Sequence, residues 1–191
     1  DGGERGPRRP NEPTRPINVY GVSKLAGEDA VRTICARATV VRTGWLFAPW
    51  GRNFVTTMLR VGHERAQVNV VDDQWGGPTS ALELARALLR VAAEPEAGTY
   101  HFGGQPQVSW CGFAEAVFDE AAARGLLTPP RVKPVHSAAY PTKARRPSWS
   151  ALDCQSFTET FGLAPPDWRT SLQEVLARLA TADPTANGRS T

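Results

Sequence analysis

Tyr20 and Lys24 stand four residues apart in "INVYGVSKLAGEDAV", residues 17–31. On a helix, residues i and i+4 share one face, so the phenol and the ammonium point the same way. An ammonium beside a phenol favours the phenolate. Such a pair can pass a proton to or from a carbonyl or an alcohol. The lysine also has a long stem and three donors, enough to hold a ribose hydroxyl. Gly21 and Gly27 accompany the pair. Each glycine costs a helix about 1 kcal/mol against alanine, so each asks for a packing or functional reason. Y-x-x-x-K alone is a weak motif, and a half-exposed helix can carry both residue types by chance. The neighbouring segments have to decide.

The elements that would position the pair alternate in type. Residues 1–16 are rich in Pro, Gly and Arg and read as an extended loop. A helix is expected over 17–34. "RATVVRTGWLF" follows as a buried strand that runs into a loop at Gly44. "NFVTTMLRVGHE" reads as a helix, and "AQVNVVDD" as a short alternating strand ending in the turn-rich "DDQWGGPTS". Ser80 and Glu83 form a capping-box pattern ahead of the periodic "ALELARALLRVAAE". Gly98 opens the strand "GTYHFGG", and a helix is expected from near Ser109 to Gly125. "RVKPVHS" is a short extended piece, and "YPTKARRPSWSALD" a basic loop broken by proline. Asp153 is placed to cap a short helix ending at Gly162. A last helix runs from Asp167 to about Ala180, and residues 182–191 read as a disordered polar tail. This alternation implies an α/β architecture.

Composition narrows the class. The 191 residues are 41% hydrophobic and 21% charged, an ordinary globular balance for one domain. The net charge of +3 comes without the dense basic runs of a nucleic-acid binder and suits a small anionic ligand. Three widely spaced cysteines indicate neither a disulfide framework nor a zinc site. Free thiols point to a reducing compartment, with cytoplasm the default. No apolar run suits a membrane span, and no signal peptide is visible. The chain opens in a loop without methionine, and its strands are few for a doubly wound domain. It therefore reads as a C-terminal piece of a longer product.

"YGVSKLAGE" resembles the active-site helix of the extended short-chain dehydrogenases/reductases. "VVRTGWLFAPWGRNFVTTML", "VVDDQWGGPTSALELARALL", "GTYHFGG", "YPTKARRPSWSALD" and "FGLAPPDWRTSLQEVL" resemble, in order, blocks of the dTDP-4-dehydrorhamnose reductase family within them. Together they cover most of residues 1–180. The resemblance implies an NAD(P)-binding Rossmann-like fold, truncated at its N-terminus, with a C-terminal sugar-nucleotide-binding subdomain. The implied boundaries are a loop over 1–16, the fold over 17–181 and a tail over 182–191.

The resemblance also implies roles. Tyr20 would be the proton donor, and Lys24 would bind the nicotinamide ribose and tune the tyrosine. Thr43 and Gly44 would border the nicotinamide. Trp45 would lie at the sugar, with core or lid packing an even alternative. Asn53 and Thr79 are weaker substrate candidates that could equally be helix caps, and for Thr79 the cap is favoured. Arg145 and Arg146 could meet a nucleotide diphosphate, although solvated loop charge is the commoner explanation. Asp72 and Asp73 suit a turn better than a metal pair. His63, His101 and His136 lack ligand spacing.

The implied reaction is hydride transfer from NADPH or NADH to the C4 keto group of dTDP-4-dehydro-6-deoxy-L-mannose. The expected partners are that dTDP-sugar and, as an option, a second copy of the chain; neither nucleic acid nor membrane is expected. An interface Mg2+ has no support in the sequence. Trp149 stands where the family often has asparagine, and the family's glycine-rich dinucleotide fingerprint and catalytic Ser/Thr do not occur. The 191 residues alone are therefore expected to bind NADPH poorly and not to turn over. Two alternatives stand: a sibling nucleotide-sugar reductase or epimerase, and a non-catalytic regulatory homologue.

Overall fold

The computed structural model describes residues 2–3, 5–140 and 142–182. In chain order these form α1 (Val19–Ile34), β1 (Thr39–Arg42), β2 (Leu46–Phe47), α2 (Phe54–Glu64), β3 (Gln67–Val71), β4 (Trp75–Gly76) and β5 (Thr79–Ser80). There follow α3 (Ala81–Ala93), β6 (Gly98–His101), β7 (Val108–Ser109), α4 (Trp110–Ala123), β8 (Arg131–Val135), α5 (Gln155–Phe161) and α6 (Trp168–Ala182). Of the disordered tail expected over 182–191, residue 182 instead closes α6, and 183–191 lie outside the described residues.

Parallel pairing dominates, as βα alternation requires. β1 lies beside β6, with Thr39 opposite Gly98 and Arg42 opposite His101. β3 lies beside β8 over five residue pairs, and β2 beside β5. Only β4 and β7 run antiparallel among the described strands. The loop over 148–150 zips onto β4: Trp75 N–H donates to the Ser148 carbonyl and Ser150 N–H to the Trp75 carbonyl, both at 2.8 Å.

Two apolar cores result. The larger joins α2, α4 and α6 to the β3–β8 pair through Val55, Val68, Phe113, Phe118, Trp168 and Leu172. The smaller joins α3 and α5 to β6 through Ala87, Val91, Phe102, Phe157 and Phe161. α1 belongs to neither: it buries no residue, and Val19 and Ile34 are 85% and 88% exposed.

The local rules held at several ends. Ser109 caps α4 by accepting from Gly112 N–H at 3.0 Å. Asp153 accepts from Gln155 N–H at 2.9 Å at the head of α5, and Asp167 from Arg169 N–H at 2.8 Å at the head of α6. The capping box expected at Ser80 and Glu83 does not form. Ser80 makes no side-chain cap, because it lies buried in β5 and Glu83 turns to Arg86 instead. Nor is Thr79 a cap, since its hydroxyl bonds to Gly77 and Gly104 instead. A reciprocal box forms at α2, between Asn53 and Thr56. α1 begins two residues later than the pattern suggested, because Asn18 takes an extended conformation and caps it.

Candidate functional site

Asn18 Oδ1 accepts from Gly21 N–H at 2.8 Å, which sets the first turn of α1. Tyr20 and Lys24 then share one face, with Lys24 Nζ 5.4 Å from the centre of the Tyr20 ring. Tyr20 is 71% exposed. The two glycines differ. A Cβ on Gly21 would come to 3.0 Å from Pro16 Cβ, so the loop before the helix would have to give way to a larger residue there, whereas Gly27 has nothing within 4 Å. Lys24, Leu25 and Glu28 form part of the wall of a cavity of about 460 Å³, which the segment 13–16, Arg42 and His101 also line.

Polar ties hold this wall. Arg42 donates to both carboxylate oxygens of Glu28, at 2.8 and 2.6 Å, and Arg32 adds a third bond at 2.9 Å. The Arg42 hydrogen bonds hold the Glu28 carboxyl below its ordinary range, against an opposing effect of burial. His101 is buried with Nδ1 2.9 Å from the Arg8 carbonyl oxygen, and burial lowers its pKa. The backbone around that carbonyl pairs with the segment 151–153, through Arg8 N–H to Ala151 at 2.9 Å and Asp153 N–H to Arg8 at 2.8 Å.

Beyond β1 the chain makes a second cluster. Trp45 is the only non-glycine with positive φ (50°) among the described residues, a conformation that bulky side chains rarely adopt. Its ring stacks on Trp110 at 3.4 Å and 5°, and Phe54 lies against Trp110 at 4.6 Å. Its Nε1–H donates to Ser150 Oγ at 3.0 Å, and Ser150 donates to the Trp75 carbonyl at 3.0 Å. A Cβ on Gly76 would stand 2.4 Å from the Trp45 ring, so only glycine leaves room for that indole. Strain of this kind persists where the surroundings over-determine it, and it clusters at ligand sites.

Trp110 and Phe54 in turn line a second cavity, of about 650 Å³, that also receives Asn69, Gln74, Arg145 and Arg146. A lining that combines aromatic rings with two arginines suits a base or sugar carrying an anionic group.

The remaining sequence candidates are placed as follows. Asn53 is spent on its own loop: besides accepting from Thr56 N–H at 3.2 Å, it donates to the carbonyls of Ala48 at 2.9 Å and Trp50 at 3.2 Å. Thr79 is fully buried; its hydroxyl donates to Gly77 at 3.1 Å and accepts from Gly104 N–H at 3.1 Å. Thr43 Oγ1 is buried with no partner among the described residues, and Gly44 has nothing within 4 Å of where its Cβ would be. Asp72 and Asp73 diverge. Asp72 accepts from Ser109 Oγ, and Asp73 from the N–H and hydroxyl of Ser137 at 2.8 and 2.7 Å. Trp149 stacks on Trp75 at 5.8 Å.

Sequence reasoning missed Asn18, Ser150 and Trp110. Asn18 had a signal, an N-cap residue type directly before a helix. The other two act through contacts across more than fifty residues, which no local pattern carries.

Residues 1–181 match the family described as the RmlD substrate binding domain. The chain belongs to that family. An RmlD-type relative from Aggregatibacter actinomycetemcomitans, named dTDP-4-dehydrorhamnose reductase, is 40% identical over 184 residues, covering 93% of this chain and 63% of its own. A solved dTDP-4-dehydrorhamnose reductase of Clostridium acetobutylicum superposes with TM-score 0.88 at 34% identity, over 94% of this chain and 62% of that one. One from Bacillus anthracis, solved in complex with NADP, gives 0.84 at 31%, over 93% and 61%. The RmlD-type chain described here thus spans about six tenths of the length of these proteins. Its α/β fold is that of the Rossmann-like extended reductases. No helix among its described residues is long and apolar enough to cross a membrane.

Proposed function

We propose that these residues carry the proton donor and the sugar-nucleotide site of a dTDP-4-dehydrorhamnose reductase. The reaction is reduction of dTDP-4-dehydro-6-deoxy-L-mannose to dTDP-L-rhamnose. The observation that carries the reading is the Tyr20–Lys24 pair on one helix face, Nζ to ring centre 5.4 Å, in a chain of the RmlD family. Tyr20 Oη gives its proton to the C4 carbonyl oxygen as that oxygen takes up negative charge. Lys24 holds a ribose hydroxyl and keeps a positive charge beside the phenol. NADPH or NADH supplies the hydride when bound. The residues present fit a nicotinamide: the buried, unpartnered Thr43 hydroxyl can meet its carboxamide, and the open face of Gly44 leaves room for a flat ring. The sugar lies towards Trp45, with the nucleotide in the cavity of Phe54, Trp110, Arg145 and Arg146.

About four tenths of the relatives' length has no counterpart in the 191 residues. The chain alone is therefore expected to bind NADPH weakly and not to turn over. Joined to the remaining segment of a relative, it is expected to oxidise NADPH when given the dTDP-linked keto sugar. Turnover of a UDP-linked keto sugar instead would favour a sibling reductase or epimerase. A joined chain that binds both ligands but never reacts would favour a regulatory homologue.

A further inference from the structure

The amide of Asn18 works in two directions. Its oxygen caps α1 through Gly21 N–H, while its Nδ2 donates to the Arg145 carbonyl oxygen at 2.9 Å, 127 residues further along the chain. That carbonyl belongs to the loop 142–148, which brings Arg145 and Arg146 to the aromatic cavity. The far end of the loop is fixed by Ser148 on β4. Its middle is fixed by Asn18. Gly21 seats this first turn close against the preceding loop, since a Cβ there would lie 3.0 Å from Pro16 Cβ. One side chain therefore links the first turn of the Tyr20 helix to the backbone from which both guanidinium groups extend.

We propose that Asn18 is a positioning residue: it sets the separation between the proton donor on α1 and the guanidinium loop that receives a nucleotide diphosphate. This rests on the sugar-nucleotide reading above. A substrate with its diphosphate at Arg145 and Arg146 reaches Tyr20 with its C4 carbonyl only at one such separation. A loop free to drift from α1 would lose the diphosphate contact first.

Asn18→Asp tests this with little change of shape. The aspartate keeps the cap acceptor and loses the donor to Arg145, whereas Asn18→Ala loses both. In the 191-residue chain, trypsin cleavage after Lys143 and Arg145 is expected to accelerate severalfold in both variants. By calorimetry, dTDP affinity is expected to fall about threefold to tenfold in Asn18→Asp, the range of one hydrogen bond. Thymidine, which has no diphosphate, should bind as before. The thermal midpoint should drop in Asn18→Ala and hold in Asn18→Asp, which separates the cap from the tether. Unchanged cleavage in Asn18→Asp would overturn the proposal. So would faster cleavage with undiminished dTDP affinity, which would leave the tether without a part in binding. A wild-type chain that binds no dTDP is a different result: it would sink the sugar-nucleotide reading itself, and this proposal with it.

Discussion

Helices α1 and α4 are of similar length and are held in opposite ways. α4 buries Cys111, Phe113, Ala114, Val117, Phe118 and Ala121 in the larger core. Burial there also pushes the Cys111 thiol up to about 11. α1 buries nothing, and Val19, Val22, Val31 and Ile34 are exposed along it. Its position rests on polar ties: the Asn18 bond to the Arg145 carbonyl, the Glu28–Arg42 pair and the Arg32 bond to Thr99. Among the described residues, the proposed chemistry thus stands on a helix that buries no side chain of its own. Function and stability should be separable by mutation.

The largest expected effect tests that separation directly. Tyr20→Phe removes one exposed hydroxyl and should leave the thermal midpoint where it is. In a chain that turns over, it should slow NADPH oxidation about a hundredfold to ten-thousandfold, the usual worth of a positioned acid. An unchanged rate would remove Tyr20 as the donor. The converse test lies in α4. Phe113 is fully buried, and Phe113→Ala should cost about 3–5 kcal/mol in urea unfolding. Ile34→Ala in α1 should stay within about 0.5 kcal/mol, as for a surface change. Comparable losses at the two positions would mean that α1 is packed after all.

The same contrast explains what could be read in the sequence. The larger core was legible because its helices carry 3.6-residue periodicity with caps at their heads, as at Ser109 and Asp167. Tyr20 and Lys24 were legible because both lie on one helix, so spacing alone fixes their common face. The capping box at Ser80 was misread for a tertiary reason: pairing of β5 with β2 buries that serine and sets its backbone before the helix starts. Thr79 and Asn53 offered polar side chains, and local backbone groups took them both. The Trp45 clamp was out of reach. It joins residues 45, 76, 110 and 150, and only the folded chain brings these together.

That clamp sets up a test of intermediate size. Gly76→Ala would place a methyl 2.4 Å from the Trp45 ring and 2.8 Å from Ser150 Oγ. One of them must move. Overpacking of this kind costs about 1–3 kcal/mol, and tryptophan emission should shift as the Trp45–Trp110 stack opens. Unchanged emission together with unchanged stability would mean that the indole is held less tightly than the Ser150 bond implies.

The smallest effect belongs to the α1 side and is read through pH. His101 is buried, and burial sets its pKa below the ordinary 6.5 in the folded chain. The unfolded chain then takes up a proton first as the pH falls, so it binds more protons than the folded chain there, and stability falls with pH. The loss begins near 6.5 and runs down to the depressed folded value. Glu28 acts in the same direction but lower. Its contribution is complete above the ordinary 4.5 and is lost as the pH falls through its depressed folded value. Urea midpoints should therefore decline in two stages. His101→Gln, which keeps a donor for the Arg8 carbonyl, should flatten the first stage and leave the second. Glu28→Gln should leave the first stage and shrink the second, to which Asp73 and Glu120, also held below their ordinary range, contribute as well. If both variants kept the full wild-type profile, the polar ties would not be what holds the α1 side in place.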